Sequence, residues 1–141
     1  MRVMVIVKAS KESEQGMLPD TNLLRMMGKY NEDLANAGLL LAADGLAASS
    51  QGKRVRFDGN KRTVIDGPFA ETKELIAGFW IWKVKSMDEA VEWLKKAPFG
   101  GGTEVEIRPI GELADFGDAV TPDIREGERK LAERMRQNAA R

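Results

Sequence analysis

The 141-residue chain contains no cysteine and no histidine. The first absence removes disulfides, thiolate nucleophiles and cysteine-ligated zinc together. The second removes the commonest general base at neutral pH and the commonest nitrogen ligand of transition metals. A charge surplus is also missing, since Lys and Arg number 22 and Asp and Glu number 22. Without a basic excess to condense on a phosphate backbone, direct nucleic-acid binding is disfavoured. The apolar N-terminal run Met1–Lys8 is too brief for a signal peptide or a membrane span. A soluble, cytoplasmic protein is therefore expected. At this length one domain with a short appendage is expected, large enough to bury a core.

What the chain does have is clear periodicity. Residues 2–8 read as a strand that is apolar on both faces, Val3, Val5 and Val7 on one and Met4 and Ile6 on the other. A polar loop leads to Pro19-Asp20-Thr21. Leu23, Met27, Tyr30, Leu34 and Ala37 then recur at helical spacing up to Gly38, which predicts a helix over 20–37. Leu39-Leu40-Leu41 opens an irregular strand region that runs to about Ser49. Lys53–Phe57 and Lys61–Ile65 flank Asp58-Gly59-Asn60, a hairpin signal. Ile76–Lys85 is the strongest strand, apolar on both faces in its middle. Ser86 and Glu89 form a capping box for a helix whose inner face is Ala90, Trp93, Leu94 and Ala97, ended by Pro98. In Thr103–Pro109, Val105 and Ile107 point inward, Glu104, Glu106 and Arg108 outward, and Pro109 suits an edge strand.

In order these elements spell an α+β fold, a ferredoxin-like βαββαβ protomer with an inserted β-hairpin over residues 1–110. In such a sheet the first and third core strands lie in the middle, and here those two are apolar on both sides. Two helices cover only one face, so the other needs a cover. Burying one aromatic side chain of ~150–250 Å² is worth several kcal/mol. A second copy of the sheet about a twofold axis supplies that burial, which predicts a homodimer through sheet faces. Residues 111–141 read as a connector and a C-terminal helix, roughly 122–138, opened by Thr121-Pro122. Its apolar stripe is thin (Ile124, Leu131, Met135), and Glu126 lies four residues before Lys130. It is either a solvated helix or an arm laid across the partner subunit.

Between the hairpin and the third core strand lies Asp66-Gly67-Pro68-Phe69-Ala70-Glu71-Thr72-Lys73-Glu74. Gly67 before Pro68 sets a bend, and Asp66 is able to bond nearby backbone N–H groups. Phe69 is an apolar anchor, and Glu71, Lys73 and Glu74 crowd two carboxylates and an ammonium together. One reading is a tight turn or dimer contact with its charges mutually paired. The other is a pre-organised polar cluster at the rim of a cleft. If protons are moved, Asp66 is the candidate carboxylate base and Lys73 its electrostatic partner or acid. Phe69, Glu71 and Glu74 are then candidate ligand-binding side chains. Arg54, Arg56 and Arg108 either grip a small anionic ligand, which a guanidinium fork fits, or simply solubilise the surface. Nothing in the pattern calls for a cofactor. No carboxylate cluster has calcium-loop spacing, so no metal site is expected. Gly100–Gly102 enters a strand and lacks a following Gly-Lys-Ser/Thr, so it is not a phosphate loop.

The nine residues 66–74 resemble the signature of the DGPF (DGPFAETKE) proteins, a branch of the YCII-related superfamily. Gly78 in the following apolar strand and Glu106-Ile107-Arg108-Pro109 agree with it, and the resemblance covers about residues 1–110. It implies a dimeric α+β barrel built from ferredoxin-like protomers. Some relatives are encoded beside, or fused to, extracytoplasmic-function sigma factors, which implies a regulatory association. The His–Asp active site suggested for the wider superfamily has no counterpart in a chain without histidine. Three functions follow as expectations. One is a small homodimeric binding or accessory protein with a cleft beside the 66–74 loop. The second is a cofactor-free acid–base enzyme, isomerase or hydrolase, using Asp66 and Lys73. The third is an interaction module associated with sigma-factor regulation.

Overall fold

A computed structural model describes residues 1–71 and 74–141. Its elements in chain order are β1 (Arg2–Lys8), α1 (Lys11–Glu14), α2 (Thr21–Asn36), β2 (Leu40–Gly45), β3 (Lys53–Asp58), β4 (Lys61–Asp66), β5 (Ile76–Lys83), α3 (Met87–Leu94), β6 (Val105–Pro109) and α4 (Pro122–Ala139). The chain divides into two compact units, Met1–Ile110 and Gly111–Arg141.

In the first unit, four antiparallel strands form an α+β sheet in the order β2-β5-β1-β6, and β3 pairs with β4 as a separate two-stranded ribbon. The two strands with apolar residues on both faces, β1 and β5, are thus the inner ones, and β6 with its Pro109 lies at an edge. Register decides which face is which. Val3 opposes Trp82 and Val5 opposes Trp80, and all four are buried with Tyr30, Leu34 and Ala90 in one core. The tryptophans therefore face the helices, while Met4, Ile6, Phe79 and Ile81 lie half-buried on the face turned away from α2 and α3.

Local chemistry sets the helix ends. The Asp20 carboxylate accepts the Leu23 N–H at 2.8 Å and so caps α2. At the other end Gly38 has φ +80°. There the Leu39 N–H reaches Leu34 C=O and the Gly38 N–H reaches Ala35 C=O, a Schellman ending that only a residue tolerating positive φ completes. Ser86 caps α3 through the Glu89 N–H, but the Glu89 carboxylate accepts from the Lys85 N–H rather than from Ser86 itself. The polar loop after β1 holds a short helix that periodicity did not reveal. In α1 the Ser10 and Ser13 side chains cap each other's backbone N–H groups.

The second unit begins with 3-10 turns over Leu113–Ala119, kinked at Gly117, and continues as α4. Glu126 stands four residues before Lys130, the spacing of a helical ion pair. It accepts instead two bonds from Arg129, at 2.7 and 2.9 Å, because the planar guanidinium meets both carboxylate oxygens across three residues. Among the described residues, no helix is long and apolar enough to cross a membrane.

Candidate functional site

The loop from Asp66 is anchored from below by contacts far apart in sequence. At the base of the β3–β4 hairpin, the Gly67 N–H donates to Gly52 C=O at 3.0 Å. A Cβ on Gly67 would sit 1.7 Å from the Ser49 carbonyl oxygen, so only glycine allows this approach. One residue beyond Pro68, the Phe69 N–H donates to Ser49 Oγ at 3.1 Å. Ser49 in turn donates from its hydroxyl to one Glu14 carboxylate oxygen and from its N–H to the other, the latter at 2.9 Å. Those two bonds from Ser49 stabilise the charged form and hold the Glu14 carboxyl below its ordinary pKa. Glu14 at the end of α1 thus clamps the 46–52 connector, and the connector holds the loop.

Above this clamp is a cavity of about 460 Å³, lined among others by Glu14, Ser49, Arg54, Phe69 and Glu74. The Arg54 guanidinium carbon stands 3.9 Å from the Phe69 ring centroid. Stacking of this kind is worth roughly 0.5–1 kcal/mol at an exposed site. It fixes the plane of the guanidinium while leaving its in-plane N–H groups available. Among the described residues, no carboxylate lies within ion-pairing distance of Arg54.

The expected site residues divide accordingly. Arg54, Phe69 and Glu74 come together at this cavity. Asp66 is not part of its lining, and its carboxylate meets Lys53 Nζ at 2.5 Å, with both side chains mostly in water. An exposed pair of this kind contributes little, about 0–1 kcal/mol. The cation beside Asp66 is thus Lys53, while Lys73 lies outside the described residues. Glu71 accepts the Glu74 N–H through its backbone carbonyl at 2.9 Å, and its exposed carboxylate is not part of the lining. Arg108 does not join the group. It stands on the edge strand β6 with its Nε 3.5 Å from Glu106, which Lys8 also meets at 3.2 Å. Sequence reasoning missed Glu14, Ser49 and Lys53. Lys53 was legible as the hairpin partner of Asp66, but nothing local links Glu14 to a serine 35 residues away. Among the described residues, no group of three or more carboxylates is placed to hold a metal ion.

A family model for the YCII-related domain matches residues 1–114. The chain belongs to the YCII-related family. A relative within reach of this family assignment is the uncharacterized protein R00369 of Rhizobium meliloti (strain 1021). It is 33% identical over 104 residues, covering 72% of this chain and 78% of the relative. A solved structure with some likeness is the 5-chloro-2-hydroxyhydroquinone dehydrochlorinase of Burkholderia phenoliruptrix AC1100, in complex with 2,5-dihydroxybenzoquinone. It is 17% identical with a TM-score of 0.39, covering 79% of this chain and 96% of that one.

Proposed function

We propose that this member of the YCII-related family is a small-molecule-binding protein whose cleft beside the 66–71 loop takes a small carboxylate. The observation that carries the reading is the Arg54 guanidinium, stacked on Phe69 at the wall of a 460 Å³ cavity, with no carboxylate among the described residues within ion-pairing distance of it. A flat, charged fork with free donors suits a bidentate carboxylate. The loop beneath is held rigid through Ser49 and Glu14, so little ordering is needed on binding. Glu14 and Glu74 on the same wall favour a ligand that also carries a donor group, such as a hydroxy or amino acid. Asp66 and Lys53 sit at the hairpin base as a supporting pair, and the reading assigns Asp66 no proton transfer.

The test is thermal unfolding against a panel of small aliphatic and aromatic carboxylates. A ligand at 100 times its dissociation constant adds ~2.7 kcal/mol of stability. That gain should vanish in Arg54→Gln and persist in Arg108→Gln. A panel that stabilises the wild type and Arg54→Gln equally would remove the reading.

The same proposal takes the protomer as ferredoxin-like and pairs two copies through the sheet face bearing Met4, Ile6, Phe79 and Ile81. The strand order β2-β5-β1-β6 and that apolar face support it. Light scattering should give twice the chain mass for the wild type and the monomer mass for an Ile81→Lys, Phe79→Asp double variant. A wild-type monomer at micromolar concentration would end the dimer proposal and leave the carboxylate test standing.

A further inference from the structure

A second cavity opens on the helix side of the sheet, and it exists because two glycines face each other. Gly45 on β2 is the register partner of Gly78 on β5, and Gly78 is also opposite Val7 on β1. Cross-strand partners share a face. In the next row that face carries Trp80 opposite Ala43, so one row at this end of the face lacks two side chains. Gly78 has no alternative, since a Cβ there would meet the Asp44 carbonyl oxygen at 2.9 Å. Gly45 is different: a Cβ there meets nothing within 4 Å, and its φ lies outside the positive region. The space left measures about 230 Å³ and is bounded by Val7, Met27, Asn31, Gly78, Trp80 and Phe99.

We infer that this cavity is a binding site for a neutral, single-ring molecule bearing an oxygen acceptor. The reading does not rest on the carboxylate cleft. Size comes first: a cavity of ~150 Å³ lined by apolar residues already holds benzene, so the space here suits a ring with a small substituent. The walls are right for a ring, because Trp80 and Phe99 stand edge-to-face with centroids 6.0 Å apart. The polar group is fixed by elimination. Trp80 Nε1 only donates, and it donates to Asn31 at 2.8 Å, so the atom it meets is Oδ1. Asn31 Nδ2 is therefore the amide's free end, with two donors and no partner among the described residues. That calls for an acceptor on the ligand. Charge selects further, because no lining residue is cationic and an anion would lose its hydration there without a charged partner.

The experiment is a titration of the full chain followed by ¹H–¹⁵N correlation spectra, with acetophenone, toluene and benzoate as probes. Acetophenone is expected to give saturable shifts at the Gly45 and Gly78 amides and the Trp80 indole N–H. Toluene should bind roughly tenfold more weakly for lack of the acceptor, and benzoate more weakly than acetophenone. Gly45→Leu fills the space and should abolish the acetophenone response with the fold intact. Asn31→Ala should bring acetophenone down to the level of toluene, and Arg54→Gln should change nothing. No saturable response in the wild type, an unchanged affinity in Gly45→Leu, or an acetophenone preference surviving in Asn31→Ala would each overturn the inference. If Gly45→Leu proves unfolded, the Asn31→Ala comparison decides alone.

Discussion

Tyr30 is the single tyrosine of the chain, and replacing it with phenylalanine tests how the core handles a buried hydroxyl. The ring is only 6% exposed and lies edge-on to both Trp80 and Trp82, at 5.8 and 6.5 Å. Its hydroxyl donates to the Trp93 carbonyl at 2.6 Å, joining α2 to the end of α3. Phenylalanine preserves the ring contacts and removes that bond, while the Trp93 carbonyl keeps the Lys96 N–H at 3.1 Å. The expected loss at neutral pH is that of one hydrogen bond, ~0.5–1.5 kcal/mol. Burial also disfavours the phenolate and pushes the Tyr30 pKa from 10 up to about 12.

The pH dependence follows from that shift. Below pH 10 both folded and unfolded chains hold the proton, and Tyr30 adds no slope. Between pH 10 and about 12 the unfolded chain releases a proton that the folded chain keeps, so stability falls as pH rises. Two pH units correspond to at most ~2.7 kcal/mol, and solvent screening near the surface leaves roughly half of it. Lysines titrate in the same window in both proteins and cancel in the difference. Urea unfolding followed by tryptophan fluorescence should therefore show the advantage of wild type over Tyr30→Phe shrinking by about 1 kcal/mol from pH 9 to pH 12. A difference that stays constant over that range, or a folded-state phenol absorbance that titrates near pH 10, would refute the reasoning.

Three further outcomes follow from the geometry. Gly67→Ala should cost more than ~2 kcal/mol in urea unfolding, because its Cβ would lie 1.7 Å from the Ser49 carbonyl oxygen. Gly28→Ala, inside α2 with nothing within 4 Å of the added Cβ, should instead stabilise by ~0.5–1 kcal/mol in the same assay. Glu14→Gln should lower the melting temperature at neutral pH. Because the folded-state Glu14 pKa lies below the ordinary 4.5, its contribution is present above that pH and lost as pH falls through the folded value. The gap between wild type and Glu14→Gln should therefore close as the pH is taken below about 4.5.

Much of the framework was legible in the residues alone, because its signals are local. The 3.6-residue spacing from Leu23 to Ala37 marked α2, Gly38 its end, and Ser86 the start of α3. Alternation in β6 and two-sided apolarity in β1 and β5 distinguish edge from centre, as the strand order β2-β5-β1-β6 has them. The nine-residue run at 66–74 pointed to the family that the domain match at 1–114 establishes. Alternation could not say whether Trp80 and Trp82 or Phe79 and Ile81 faced the helices, since both sets are apolar. Only the register against Val3 and Val5 decided it.

The sites belong to the other category. Ser49 touches Glu14 and Phe69 across 35 and 20 residues, and the cavity at Gly45 arises because Gly78 happens to be its register partner. Asp66 and Arg54 lie on opposite faces of one ribbon, so the carboxylate ends on Lys53 in water and the guanidinium on Phe69 at the cavity. Periodicity and capping are written in neighbouring residues and survive in the unfolded chain as preferences. A pocket is made by residues that meet only when the sheet closes, and its shape is a property of the packed chain.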